Sequence, residues 1–82
     1  MITVKFFGLI SIESNIRQLK VNEGTVRQVL NHVKEKWPSF TEQQILQAVM
    51  FINKEQVSGN KRFSIVLKDG DELALLSPLS GG

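Results

Sequence analysis

The clearest chemistry in this sequence lies in the glycine pair at its C-terminal end, Gly81-Gly82. At average glycine usage, two glycines end a chain by chance in about 0.5% of cases. A glycine pair has no side chains, so it can enter a narrow channel in a partner protein and leave its carboxylate open to activation. Pro78 marks the end of a strand just before it. We therefore predict a flexible tail that includes Ser80 and Gly81, with the Gly82 carboxylate as the reactive group.

Two other sets of side chains are weaker candidates for chemistry. His32 lies about 100° from the centre of the apolar stripe of a predicted helix, which indicates a solvated surface residue rather than a general base. Asp69, Asp71 and Glu72 are close enough in sequence to suggest a metal site. However, the Asp-Gly-Asp segment is typical of a turn, and the other ligands of a calcium loop are missing. We therefore predict no metal site.

The motifs of nucleotide and thiol chemistry are missing from the sequence. It contains no G-x-x-x-x-G-K-[ST] phosphate loop and no G-x-G-x-x-G turn, so we expect no bound ATP. It contains no cysteine, which excludes disulfides, thiolate zinc sites and a cysteine nucleophile. A chain of 82 residues is too short to enclose a substrate and also build a catalytic pocket. These observations favour a protein that binds no cofactor and acts through partners over a self-contained enzyme.

The charge pattern argues against nucleic-acid and membrane partners. The net charge is +2, and the basic residues are scattered among acidic ones, with Lys61-Arg62 as the longest basic run. The aromatic and basic signature of an RNA-binding sheet is missing. No stretch approaches the ~18 apolar residues of a membrane span, and the N-terminus lacks the basic region of a signal peptide. With no cysteine either, the composition fits a cytoplasmic protein.

The elements that must position the tail are predicted from hydrophobic periodicity. Residues 2–7 alternate as a half-buried strand, and residues 16–21 return beside it to form a hairpin. A capping box made by Thr25 and Gln28 begins a helix over residues 25–36. A short helical turn is predicted from Thr41, followed by a strand over residues 48–53. A turn at Lys54-Glu55 then leads to a short strand at Gln56-Val57.

The apolar segment over residues 63–67 fits either a helical turn or a strand. A turn at Asp69-Gly70 precedes the final strand, over residues 72–77.

This order of elements predicts an α+β fold in a single domain over residues 1–82. A hairpin followed by a crossover helix returns the third strand to the same sheet, and right-handed crossover limits the possible topologies. One twisted mixed sheet around one main helix is the ubiquitin-like β-grasp arrangement. The last strand would then lie inside the sheet and project the tail out of it.

Strand alternation places large apolar residues on the outer face of this sheet, away from the helix. They are Phe7, Phe51 and Leu76. Their inward-facing neighbours in the same strands are expected to be Phe6, Met50, Ile52, Leu73 and Leu75. Exposed apolar residues grouped on one open face indicate a docking surface for a partner protein.

Five segments give the sequence a family resemblance, in chain order: ITVKFFG, TVRQVLNHV, FINKEQV, KDGDELALLSP and LSGG. With them the chain resembles the ubiquitin-like sulfur carriers, the family that serves molybdopterin and thiamine synthesis. The resemblance spans essentially the whole chain. Chain length and the Ser-Pro-Leu-Ser segment before the glycine pair make it closest to the small subunit of molybdopterin synthase.

The resemblance implies a two-stage chemistry at Gly82. An adenylyltransferase of the ubiquitin-activating type uses ATP to convert the carboxylate into an acyl-adenylate. A sulfur donor, such as a cysteine desulfurase, then displaces the nucleotide and leaves a C-terminal thiocarboxylate. In the molybdopterin branch the tail enters the large subunit of molybdopterin synthase, and the sulfur becomes part of the dithiolene. The resemblance also implies that Phe7 and Leu76 contact both the activating enzyme and the target.

Two alternatives stay open at this point. The chain fits a sulfur carrier for thiamine, for tRNA thiolation or for another sulfur-containing product. It also fits a ubiquitin-like binding module, or a protein modifier conjugated to lysine, without any sulfur transfer. Only an activation assay separates these classes.

Overall fold

The computed structural model describes residues 1–7 and 18–76 and confirms the predicted α+β fold with one mixed sheet and one main helix. The elements, in chain order, are β1 (Ile2–Phe7), β2 (Gln18–Val21), β3 (Gly24–Thr25), α1 (Val26–Lys36), α2 (Glu42–Gln47), β4 (Val49–Ile52), β5 (Glu55–Val57), a 3₁₀ turn (Asn60–Ser64), β6 (Val66–Leu67) and β7 (Glu72–Leu76). Residues 16–17 and 77 of the predicted strands lie outside the described residues, and so does the tail.

The main sheet has the strand order β2-β1-β7-β4-β5. β1 pairs antiparallel with β2 and parallel with β7, while β4 pairs antiparallel with both β7 and β5. The last strand is therefore the central strand of the sheet, as the sequence predicted. A second, two-stranded sheet of β3 and β6 was not predicted; it joins the start of α1 to the segment before β7.

The core lies between the inner face of the main sheet and the apolar stripe of α1. Alternation in β1 is as predicted, because Ile2, Val4 and Phe6 are buried while Phe7 is 49% exposed. The buried residues that form one hydrophobic cluster are Ile2, Val4, Phe6, Val21, Val26, Val29, Leu30, Val33, Trp37, Phe40, Ile45, Ala48, Met50, Leu67, Leu73 and Leu75. Burial of these side chains is the main favourable term for folding.

The bounds of α1 follow from its caps. The Gln28 N–H donates to Thr25 Oγ1 at 3.1 Å, and the Thr25 N–H donates to Gln28 Oε1 at 2.9 Å, which confirms the predicted capping box. At the other end the Trp37 N–H donates to the Val33 carbonyl at 2.8 Å, and Pro38 follows. A second predicted box, Thr41 with Gln44, is also present and begins α2.

Two predictions about the second half of the chain were wrong in detail. The turn after β4 is formed by Asn53 and Lys54, not Lys54 and Glu55, since both have positive φ (50° and 72°) and Glu55 already pairs with Ile52. The strand predicted over residues 48–53 is shorter by one residue at each end. The apolar segment over residues 63–67, which fitted either a helical turn or a strand, contains both: Phe63 belongs to the 3₁₀ turn, and Val66 and Leu67 form β6.

Polar contacts that the sequence did not reveal hold α2 against α1. The Arg27 guanidinium donates to both carboxylate oxygens of Glu42, and Lys34 Nζ lies 3.3 Å from the same carboxylate. The hydrogen bond from Arg27 is the main cause that lowers the pKa of the Glu42 carboxyl. In the described part of the chain, no helix is both long enough and apolar enough to cross a bilayer.

The burial of Leu30 at the centre of the α1 stripe gives a direct test of the fold. Leu30 is fully buried, so Leu30→Ala should lower the free energy of unfolding by about 2–5 kcal/mol. Leu46→Ala is the matched control, since Leu46 lies on a helix but is 52% exposed; it should change stability by less than about 0.5 kcal/mol. Chemical denaturation measures both. Equal losses for the two variants would contradict the assigned core.

Candidate functional site

The outer face of the sheet contains an open groove of about 520 Å³. We call it the outer groove; it is lined by Lys5, Phe7, Phe51, Lys54, Glu72, Ala74 and Leu76. The three residues that the sequence assigned to a docking surface, Phe7, Phe51 and Leu76, therefore lie together in one depression. Their role in docking stays a prediction.

The strand register places these side chains in rows across the sheet. Lys5 in β1, Ala74 in β7 and Phe51 in β4 form one row, because Ala74 is the register partner of both neighbours. Phe7 and Leu76 are partners in the next row on the same face. Ala74 has the smallest side chain of the row that it shares with Lys5 and Phe51. It therefore forms the floor of the outer groove, and the larger side chains on either side form its walls. Sequence alternation alone did not identify Ala74 as the floor of a groove.

The apolar residues of the outer groove differ in exposure. Phe7 is 49% and Leu76 39% exposed, whereas Phe51 is half-buried. Phe51 was expected outside and does lie on the outer face, but it is less exposed than Phe7 and Leu76. Phe7 and Leu76 are therefore the apolar groups most available to a partner.

Charged residues border the apolar part of the outer groove. Lys5 Nζ lies 3.0 Å from Glu72 Oε1, and both side chains are partly shielded from solvent. Alternation indicated that Lys5 shares a face with Phe7, and that Glu72 shares a face with Leu76. The strand register was needed in addition to predict that Lys5 and Glu72 lie close together. Lys54 is an exposed residue at the rim and carried no comparable signal.

Asn53 fixes the β4–β5 turn to the start of β7. The Asn53 N–H donates to the Glu72 carbonyl at 2.9 Å, and the Glu72 N–H donates to Asn53 Oδ1 at 3.0 Å. Asn53 Nδ2 also donates to Asp71 Oδ1 at 3.1 Å. These three hydrogen bonds set the position of the turn at the edge of the outer groove.

The acidic segment near β7 forms the predicted turn. The Asp71 N–H donates to the Lys68 carbonyl at 2.9 Å, and the Lys68 N–H donates to Asp71 Oδ2 at 2.8 Å. This backbone hydrogen bond is the main cause that lowers the pKa of the Asp71 carboxyl. Asp69 instead interacts with the N-terminal ammonium of Met1. Within residues 1–7 and 18–76, no group of three His, Cys, Asp or Glu side chains is placed to hold a metal ion.

His32 lies away from the outer groove. It belongs to α1, and it is exposed, with Nδ1 3.8 Å from a carboxylate oxygen of Glu35. Since α1 packs on the inner face of the sheet, His32 cannot reach the groove on the opposite face. The prediction of a solvated surface residue is confirmed.

Ser80, Gly81 and Gly82, the predicted tail, lie outside the described residues, and their roles stay predictions. The strand that leads to them ends at Leu76, inside the outer groove. Residues 77–82 reach at most about 20 Å when fully extended. A partner that acts on the Gly82 carboxylate therefore works within that distance of the outer groove.

Comparisons with known proteins agree with this architecture. The model of the ThiS family matches residues 4–82, while comparison with curated proteins gave no match. The small archaeal modifier protein 1 from Methanosarcina acetivorans has a similar structure, with a TM-score of 0.81 and 22% identity over 99% of this chain and 95% of that chain. So does a chain in the complex of subunits 1 and 2 of the molybdopterin-converting factor from Helicobacter pylori (TM-score 0.67, 20% identity, 99% and 97% covered). A chain in the BexX/CysO complex from Amycolatopsis orientalis gives a TM-score of 0.71 at 22% identity, with 100% of both chains covered. At these identities the structural likeness shows a shared fold.

Two adjacent leucines in β7 test which face of the sheet is open. Leu75 is fully buried and Leu76 is 39% exposed. Leu75→Glu should lower the free energy of unfolding by more than about 4 kcal/mol, because it buries an unpaired charge. Leu76→Glu should change it by less than about 1 kcal/mol. Thermal melts of both variants check this, and a reversed order would mean that β7 presents the opposite face.

Proposed function

Because the chain belongs to the ThiS family of ubiquitin-like sulfur carriers, we propose that it carries sulfur as a thiocarboxylate on Gly82 and donates it in molybdopterin biosynthesis. One observation carries this proposal most directly. The strand that leads to the glycine pair ends at Leu76, and the side chain of Leu76 lines an apolar groove on the open face of the sheet. A partner seated there has the Gly82 carboxylate within reach.

The activation must come from a partner. The sequence contains no nucleotide-binding motif, so an adenylyltransferase of the ubiquitin-activating type supplies the ATP site. A carboxylate oxygen of Gly82 attacks the α-phosphorus of ATP, pyrophosphate leaves, and an acyl-adenylate forms. An enzyme such as a cysteine desulfurase supplies a persulfide, whose terminal sulfur attacks the acyl carbon, and AMP leaves with the bonding electrons. A thiol then attacks the other sulfur of the resulting acyl disulfide, which forms a new disulfide and releases the acyl group with its sulfur. The product is a thiocarboxylate, a stronger nucleophile than the original carboxylate.

The outer groove provides recognition, and the glycine pair provides access. Phe7 and Leu76 offer exposed apolar area on a rigid sheet, the kind of surface that anchors protein interfaces. Gly81 and Gly82 have no side chains, so they can enter a narrow active site that larger residues would block. Docking and chemistry are thus assigned to different residues, joined by residues 77–80.

Delivery to the large subunit of molybdopterin synthase is the specific form of the proposal. The Helicobacter pylori structure that this chain resembles is a complex of two subunits of a molybdopterin-converting factor, and the BexX/CysO structure is also a complex of two proteins. The BexX/CysO structure supports only the general point that a protein of this fold binds a partner. The likeness to the Helicobacter pylori complex and the Ser-Pro-Leu-Ser segment before the glycine pair favour molybdopterin over thiamine or another sulfur-containing product.

A protein modifier is the second candidate function. It is the kind of protein named in the similar structure from Methanosarcina acetivorans. A modifier would use the same acyl-adenylate at Gly82 but pass its acyl group to a lysine amine instead of accepting sulfur. The two functions therefore differ in the product and not in the activation step.

Conversion of Gly82 can be measured directly by intact mass. The chain is incubated with ATP, its adenylating partner and a sulfide source, and we expect one oxygen at the C-terminus to be replaced by sulfur. A variant that lacks Gly82 is the control and should show no change. A bond between the acyl group and a lysine would favour the modifier, and sulfur elsewhere in the chain would contradict the proposal.

Docking and sulfur transfer should separate in two variants. Leu76→Glu should weaken binding to the synthase large subunit at least about tenfold, since a central apolar anchor commonly contributes about 2 kcal/mol or more. Deletion of Gly82 should abolish sulfur transfer and leave most of that affinity. Leu46→Glu is the matched control, because Leu46 is 52% exposed away from the outer groove. Calorimetry measures the affinities, and normal binding by Leu76→Glu would exclude the outer groove as the docking site.

A further inference from the structure

The backbone of Lys54 has an unusual conformation. β4 and β5 are joined by the two residues Asn53 and Lys54, with φ values of 50° and 72°. A two-residue hairpin turn with both φ values positive is type I′, in which asparagine is favoured at the first position and glycine strongly favoured at the second. Lysine has a Cβ atom, which makes the left-handed region unfavourable. Lys54 therefore occupies a position where glycine would be the more stable residue.

The surrounding hydrogen bonds hold Lys54 in this conformation. Asn53, the preceding residue, is bonded to the Glu72 backbone through both its N–H and its side-chain oxygen, and to Asp71 through its side-chain nitrogen. The turn is thus fixed to the central strand of the sheet. Unfavourable backbone conformations that neighbouring contacts maintain are concentrated at functional sites, so the identity of this residue calls for a functional reason.

The charges around the outer groove supply one. Of its two lysines, Lys5 is paired with Glu72 at 3.0 Å. Lys54 has no ion-pair or hydrogen-bond partner among the residues that the structure describes, and its side chain is exposed. The outer groove therefore presents an apolar floor near Phe7 and Leu76 and an uncompensated positive charge at its rim.

We propose that Lys54 pairs with a carboxylate of the activating enzyme when that enzyme seats an apolar side chain against Phe7 and Leu76. The inference rests on the proposed function, because it takes the adenylating partner as the first protein that must reach Gly82. That partner has to bind within about 20 Å of Leu76, the reach of residues 77–82. Charge complementarity then defines its contact surface as an apolar residue flanked by an acidic one.

The geometry also explains why a lysine is retained in a glycine position. An exposed charge at the rim of an interface attracts an oppositely charged partner over about a Debye length and sets the orientation of docking. An apolar surface alone would bind in many orientations. Lys54 makes the outer groove directional, since its charge marks one end.

The test uses the ubiquitin-activating-type adenylyltransferase encoded in the same genome, with binding measured by calorimetry in the absence of ATP. Lys54→Gly should bind about threefold to tenfold more weakly than the parent, and Lys54→Glu about tenfold or more. Lys54→Gly should nevertheless melt at the same temperature as the parent or higher, because glycine suits the turn. Lys54→Arg should retain affinity, and the affinity of the parent should fall more steeply with salt than that of Lys54→Gly.

Lys61→Glu is the matched control, since Lys61 is also an exposed lysine without an ion-pair partner in the described ranges but lies outside the outer groove. It should bind as the parent does.

The inference would be overturned if Lys54→Gly and Lys54→Glu bind the activating enzyme as tightly as the parent does. It would also be overturned if the parent self-associates and Leu76→Glu abolishes that self-association, because a second copy of the chain would then occupy the outer groove. If the parent is thiocarboxylated but its affinity does not depend on Lys54, only this inference fails. If affinity depends on Lys54 but no thiocarboxylate forms, only the proposed function fails, and a parent that does not bind at all overturns both.

Discussion

From Thr3 and Glu72 to Phe7 and Leu76, the first strand of this chain pairs in parallel with the last. Parallel neighbours cannot be joined by a tight turn, so the chain must leave the sheet and return before it can complete this ladder. α1 is placed on the inner face by that return, and β4 completes the pairing on the other side of β7. The same register that aligns the buried residues of β1 and β7 aligns the row of Lys5 and Ala74 on the outer face.

The two faces of the sheet differ in how much they contribute to stability. Leu73 and Leu75 in β7 are fully buried, whereas Leu76 in the same strand is exposed. A substitution on the inner face removes core contacts and destabilises the domain, while one at an exposed position of the outer face removes few such contacts and changes mainly the surface. The outer face exposes apolar area to solvent. The Lys5–Glu72 pair and Lys54 place charges around this area. Charged residues at the border of an apolar surface limit unspecific association.

Local patterns in the sequence were sufficient for most of the fold. The capping box of Thr25 and Gln28 and the alternation in β1 and β7 each involve residues close in the chain, and each was predicted. Phe7 and Leu76 followed from alternation for the same reason. The rule that a crossover is right-handed then limited the possible topologies, and the last strand was expected inside the sheet, but its parallel pairing with β1 was not specified.

The features that were missed depend on contacts between distant residues. Arg27 meets Glu42, and the β3–β6 pairing joins Gly24 to Leu67, yet neither has a sequence pattern that specifies its partner. The turn at Asn53 and Lys54 was misplaced by one residue because Asn-Lys lacks the glycine that usually marks a type I′ hairpin. Its position depends on hydrogen bonds to Asp71 and Glu72, which only the folded sheet supplies.

The parallel ladder also determines how the domain responds to a pulling force. β1 and β7 run in the same direction, so a pull between Met1 and the residues beyond Leu76 acts along both strands in opposite senses. The paired positions from Thr3 and Glu72 to Phe7 and Leu76 then bear the load together in shear, instead of opening one after another as in a peeled hairpin. The central position of β7 in the sheet therefore ties the two ends of the described chain together, and neither end can be drawn out along its strand without breaking the β1–β7 ladder.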